Sequence, residues 1–234
     1  MSNVLIYYMK NRYRNDVPLA SKIKTRLGPV VTISREYGCP AKRLATELSS
    51  ALNRIEAENY TNDRWQWISK EILEKSAKEL NLKTELIREV ANKEQDGLVE
   101  DIVMSLSNRD YPGDIKIKKT IKEVIRSFAE HGHVIIVGRG GVSITRDIQK
   151  SLHIKIQAPI EWRINKVSNQ QMISLTEAKK KIHDIDMQRA LLREYYQGKK
   201  IGNDGFDVIF NYLTLDEEDI ISSIIKLMEC KDLV

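Results

Sequence analysis

The sequence predicts an α/β fold of three layers (αβα), in which helices sandwich a mainly parallel five-stranded sheet. Short apolar, β-branched runs alternate with longer segments of helical periodicity, the pattern of strands joined by crossover helices. Two of these runs lead straight into glycine- and arginine-bearing junctions, Arg35–Arg43 and Gly138–Gly141. A third sign is the unbroken apolar run Val134–Val137. It lacks polar alternation, as expected of a strand buried on both faces.

Each element follows from local chemistry. Residues 1–28 form a basic extension, with Lys10, Arg12, Arg14, Lys22, Lys24 and Arg26 opposed only by Asp16. It reads as a solvated arm, with nucleic-acid binding as the less favoured alternative. Gly28–Ser34 is the first strand and Arg35–Pro40 a turn. A helix follows with Leu44, Ala45, Leu48 and Leu52 on one face, and Pro40 suits its first position. Trp65–Ile68 is a short strand, and Ser69 is placed to cap a helix reaching Leu80. From Thr84 to Asn108 the pattern is helical and charged, and Tyr111–Asp114 is a turn. A helix through Ile117, Ile121, Val124, Ile125 and Phe128 ends near Gly132.

After the Val134 strand comes Leu152–Ala158, ended by Pro159. Helices are expected over Ile160–Gln171 and Leu175–Gln197, the second opened by Ser174 and Glu177 at capping-box spacing. Phe206–Phe210 is the last strand, and Thr214 with Glu217 reads as another capping box heading the final helix.

Composition bounds the function. The chain has 234 residues, 41% hydrophobic and 30% charged, enough for one sizeable domain with an insert. A net charge of +5 favours anionic partners. No apolar run is long enough to span a bilayer, and the N-terminus lacks the pattern of a signal peptide. Cys39 and Cys230 are too few for a disulfide framework, so a cytoplasmic, reduced setting is expected.

In parallel sheets of this kind ligands gather at the carboxyl ends of the strands. Three stretches there resemble the cytidylate kinase-like family: Thr32–Gly38, Val134–Gly140, and the Asp186-x-x-Arg189-Ala190-x-x-x-Arg193-x-Tyr195-Tyr196 run. They occur in the family's order across roughly Val30 to Lys226. The resemblance implies a P-loop NTPase-like fold, with a core domain over 29–230, a helical insert near 84–131 and a helical lid near 174–203. It also implies a nucleoside triphosphate such as ATP with Mg²⁺, a monophosphate acceptor, and lid arginines closing over the transferred group. Arg139 is then expected to hold the acceptor phosphate. Arg139, Arg189 and Arg193 are the candidate catalytic residues, and Arg163 and Asp186 join Arg139 in substrate binding.

A Walker A loop surrounds phosphates with backbone N–H groups, bridges them with a lysine and binds Mg²⁺ through a hydroxyl. This chain departs from it. Aligned on Gly38, the last glycine is Pro40, the lysine is Ala41 and the hydroxyl residue is Arg43. The resembled family typically reads Gly-Ser-Gly-Gly-Arg here, so it too lacks the lysine. Pro40 removes a donor. The nucleotide site is therefore expected from Arg35, Gly38, Cys39, Ala41, Lys42 and Arg43, with Lys42 plus Arg35 or Arg43 replacing the lysine. The alternative is a helix terminus that binds no nucleotide, on a catalytically degenerate binding protein. No metal ligand set is assignable. The partner expected is a small nucleotide, with no membrane and no nucleic acid, and with room for a homodimer.

Asp186, Arg189, Arg193 and Tyr196 share one helical face by their spacing. The plain reading of that face is an exposed Asp–Arg ladder worth about 0.2–0.5 kcal/mol per pair. Cys39 reads as a small turn residue rather than a reactive thiol. Trp65 and Trp67 read as packing residues, Lys179–Lys181 as a solvated face, and the four histidines show no metal-ligand spacing.

Overall fold

The structure, a computed structural model, describes residues 28–59, 64–69 and 115–234. Residues 1–27 of the basic extension, the helix expected to follow Ser69 as far as Leu80, the charged stretch at 84–108 and the turn at 111–114 lie outside the described residues, while Ser69 itself ends a strand.

Five strands form one sheet: β1 (Val30–Arg35), β2 (Gln66–Ser69), β3 (Val134–Val137), β4 (Ser151–Gln157) and β5 (Val208–Asn211). Their order is β2-β3-β1-β4-β5, and every pairing is parallel. Val30 of β1 stands opposite Val134 on one side and Ser151 on the other. The helices are α1 (Ala41–Glu58), α2 (Ile115–His131), α3 (Gly141–Ile144), α4 (Ile160–Gln171), α5 (Leu175–Gln197) and α6 (Glu217–Cys230).

The apolar face of α1 (Leu44, Leu48, Leu52) and that of α6 (Ile220, Ile224, Met228) close on one side of the sheet, against Val31, Ile33, Ile135 and Ile154. Each such side chain removed from water contributes about 1.5–3 kcal/mol, so this layer dominates stability. On the other side α2 lies against β3 and α3, α3 lies against β1, and α5 runs along α3. All strands point their carboxyl ends the same way, which brings the β1–α1 and β3–α3 junctions together.

The α3–α5 side of the sheet carries buried polar groups. Thr32 Oγ1 lies 2.9 Å from His153 Nδ1, and Ser151 Oγ lies 3.3 Å from His153 Nε2. Burial lowers His153 to about 4 from 6.5, with Lys231 and Arg146 acting the same way and Asp207 opposing. On acidification the unfolded chain takes up this proton first. The contribution is therefore complete above pH 6.5 and is lost as pH falls towards 4, by about 3 kcal/mol in all. The urea midpoint should fall over that window in wild type, and less steeply in His153→Asn.

Three details differ from expectation. Pro40 is the N-cap of α1 rather than its first residue. The last strand begins at Val208, because Asn203–Gly205 forms a 3-10 turn and Asp207 accepts from His153 N at 2.6 Å. The capping box expected from Thr214 and Glu217 does not form. Asp216 caps α6 instead, accepting from Asp219 N at 2.8 Å, because the Glu217 carboxylate is taken by Arg43 and the Tyr212 hydroxyl. The Ser174–Glu177 box at the start of α5 forms as expected, with both reciprocal bonds present.

Candidate functional site

The turn from β1 to α1 is tight. Glu36 N donates to Ile156 O at 3.0 Å, Cys39 N to Glu36 O at 3.2 Å and Ala41 N to Cys39 O at 3.0 Å. Tyr37 N donates to Asp186 Oδ1 at 2.7 Å. Pro40 has no donor, so most amides that a phosphate loop points at its ligand are engaged within the chain. Gly38 takes φ 99, a conformation closed to most side chains. Arg43 lies 68% exposed and pairs with Glu217, turning its charge towards α6. Cys39 is pushed up to about 11, first by burial and then by Glu36. It is far from the low-pKa regime of a reactive thiolate.

The β3–α3 junction places Gly138, Arg139 and Gly140 in the left-handed region, at φ 73, 55 and 70. For the arginine this costs roughly 1–2 kcal/mol. The glycines on either side serve close approach: a β-carbon on Gly138 would overlap the Arg35 guanidinium, and one on Gly140 the Tyr196 ring. The glycine run is thus a seat for one arginine from β1 and one aromatic ring from α5. Arg139 sits beside Tyr196, whose hydroxyl burial raises to about 12.

Helix α5 is fastened across both junctions. Arg163 of α4 is buried and donates to Ala158 O at 3.0 Å, to Tyr37 O at 3.4 Å and to Asp186 Oδ2 at 2.6 Å, and also faces Glu36 Oε2 at 3.3 Å. Arg189 donates to Arg35 O at 3.0 Å, pairs with Asp186 Oδ1 at 3.6 Å and lies over the Tyr37 ring at 5.5 Å. Further along, Ser143 Oγ donates to Arg193 O at 2.9 Å, and Tyr196 Oη to Lys118 O at 3.0 Å. Burial lowers the pKa of both Arg189 and Arg193, which records a desolvation cost for each charge. Arg193 Nε is buried with no hydrogen-bond partner.

Between α5 and the carboxyl ends of β1 and β4 lies an open cleft. Its cations are Arg35, Lys155, Arg189 and Arg193, set against the carboxylates Glu36 and Asp186. Four positive groups against two negative ones, partly desolvated, favour an anion. Ser34 and Phe206 complete the wall.

Of the residues singled out in the sequence, Arg35, Asp186, Arg189 and Arg193 meet at this cleft, with Arg163 directly behind Asp186. Gly38, Cys39, Lys42, Arg43 and Arg139 are not on its wall, nor is Ala41, which begins α1. Both cleft carboxylates already face Arg163, and among the described residues no group of three His, Cys, Asp or Glu side chains could hold a metal. Sequence reasoning missed Lys155, whose one trace was the polar alternation of His153, Lys155 and Gln157 along β4. It also missed Trp162 and Lys166, spaced one turn apart on α4. The Trp162 and Tyr212 rings stand 5.8 Å apart with Lys166 Nζ 4.4 Å over the first and 5.2 Å over the second.

Among solved structures, the chain is similar to an uncharacterized protein from Eubacterium ventriosum ATCC 27560, at 18% identity and a TM-score of 0.57, covering 88% of this chain and 99% of that one. It also aligns with dephospho-CoA kinase from Campylobacter jejuni, at 17% identity and a TM-score of 0.41, covering 88% and 98%. The first likeness shows the shared fold; the second is too distant to bear on it. No curated protein matches the sequence. None of the described helices is long and apolar enough to cross a membrane. The cytidylate kinase-like family model matches residues 30–212, from the first strand through the last, and the chain belongs to that family.

Proposed function

We propose that this chain is a nucleotide-binding phosphotransferase that moves a phosphoryl group from ATP, or another nucleoside triphosphate, to a nucleoside monophosphate or similar small acceptor. The observation that carries the reading is the convergence of Arg35, Arg189 and Arg193 on one cleft at the strand ends, two of them desolvated and one with an unpartnered Nε. Phosphoryl transfer asks a protein for position and charge neutralisation more than for covalent chemistry. Guanidinium groups fixed before the reaction neutralise charge on the transferred group without reorganising. In this reading α5 acts as the lid, and the Trp162–Tyr212–Lys166 cluster offers a π-surface on which a base can stack.

A second reading rests on a specific observation. The amides of Tyr37, Cys39 and Ala41 all donate within the chain, which favours a nucleotide- or anion-binding regulator without turnover. Thermal-shift titration with nucleoside mono- and triphosphates, with and without Mg²⁺, tests binding, because a ligand of the folded state alone raises the midpoint by mass action. Product analysis with labelled ATP and a panel of monophosphates then separates the two readings. Binding with transfer supports the kinase, and binding without transfer supports the regulator. No binding removes both.

A further inference from the structure

We propose that Lys155 of β4 supplies the ammonium charge that the β1–α1 turn does not bring to the cleft, and that its Nζ contacts a phosphate oxygen of the bound nucleotide. The inference rests on the phosphate-binding reading above and adds a residue to it.

The sheet register puts Lys155 directly beside Ser34, one residue before the end of β1, and both side chains reach the same cleft. Lysine is an unexpected choice there. Its strand neighbours Ile154 and Ile156 are fully buried, and its own side chain is only 18% exposed. An apolar residue would avoid the desolvation that partial burial of an ammonium entails. The charge is also held in place. Nζ donates to Asn203 Oδ1 at 3.1 Å and faces Glu36 Oε1 at 3.8 Å. An ammonium has three donors, so two partners orient it and leave one for a ligand. Partial desolvation strengthens its pull on a phosphate compared with a solvated lysine.

The rival cations of the turn are placed differently. Lys42 is exposed on α1 and off the cleft wall, and Arg43 is paired with Glu217. Lys155 instead shares its wall with Arg189 and Arg193. A cation on the next strand can thus stand where the loop supplies none.

The plain reading of Lys155 is a tie between β4, Glu36 and the segment before β5. The two are separated by titrating inorganic pyrophosphate and ATP calorimetrically into wild type, Lys155→Met, Lys155→Arg and Lys42→Ala, with circular dichroism reporting the fold. Lys155→Met should weaken binding by about tenfold or more, as expected for loss of a charge-assisted contact. Lys155→Arg should recover most of it, and Lys42→Ala should change it less than about twofold. Acetylation of wild type, followed by mass spectrometry of the Lys155 peptide, needs no variant to fold. Pyrophosphate should protect Lys155 and leave Lys42 reactive. If wild type binds but Lys155→Met binds equally well, or the ligand leaves Lys155 acetylation unchanged, the inference is overturned while the proposed function stands. If wild type binds neither probe, both fall together.

Discussion

Replacing Arg193 with methionine is expected to stabilise the free protein while removing most of its affinity for phosphate-bearing ligands. Burying a guanidinium lowers its pKa here, and its Nε finds no acceptor. A buried donor without a partner costs about 1–3 kcal/mol. Methionine keeps the length of the side chain and loses that penalty. The main-chain bond from Ser143 to Arg193 O does not depend on the side chain and remains. The expected gain is about 1 kcal/mol, or a thermal midpoint some 2–4 °C higher for a chain of this size. Hydrogen bonds to charged groups contribute about 1.5–3 kcal/mol, so affinity for pyrophosphate or ATP should fall roughly ten- to hundredfold. The combination is diagnostic, because a merely structural arginine loses stability when removed. Differential scanning fluorimetry and calorimetric titration of the same preparation measure both halves.

Asp186→Ala should do the reverse. This carboxylate accepts from Tyr37 N, pairs with Arg163 at 2.6 Å and lies 3.6 Å from Arg189, so one side chain fastens α5 to the β1–α1 turn and to α4. Arg163 is only 9% exposed, and deleting a partner leaves its charge in a largely dry place. Breaking such a pair typically costs about 3–5 kcal/mol. Glu36 still faces Arg163, and Asp186 is 27% exposed, which sets the expectation at the lower end, about 3 kcal/mol. Asp186→Asn keeps an acceptor for Tyr37 N and should lose about half as much. Urea midpoints of the two variants test the size. A double-mutant cycle with Arg163→Met should return a coupling of at least about 1 kcal/mol. Independent, additive losses would show that α5 is not held through this carboxylate.

Much of the fold was legible because its signals are local. Uninterrupted β-branched runs marked β1 and β3, and Ser174 with Glu177 marked the start of α5 to the residue. The shared face of Asp186, Arg189 and Arg193 followed from spacing alone, and the structure turns that face onto the cleft. What the sequence hid depends on partners distant along the chain. Nothing near Arg43 reveals that Glu217, on the last helix, takes up its charge, and the same carboxylate defeats the capping box expected at Thr214. Nothing near Tyr37 reveals that its amide donates to Asp186. Arg163, expected to bind substrate, sits behind Asp186 and bonds to the backbone of two junctions, a role that only tertiary contacts define. That Gly138 and Gly140 make room for Arg35 and Tyr196 could likewise not be read from the glycines themselves.

In the proposed function phosphate is bound by arginines on the α5 side of the sheet and not by the amides of the β1–α1 turn. The most direct measurement is a crystal structure with ATP at saturating concentration. A phosphate is expected with an oxygen at hydrogen-bonding distance, about 3 Å, from Arg193 Nε and beside Arg35 and Arg189. A triphosphate wrapped by Gly38–Arg43 with those arginines untouched, or a cleft that stays empty, would contradict it.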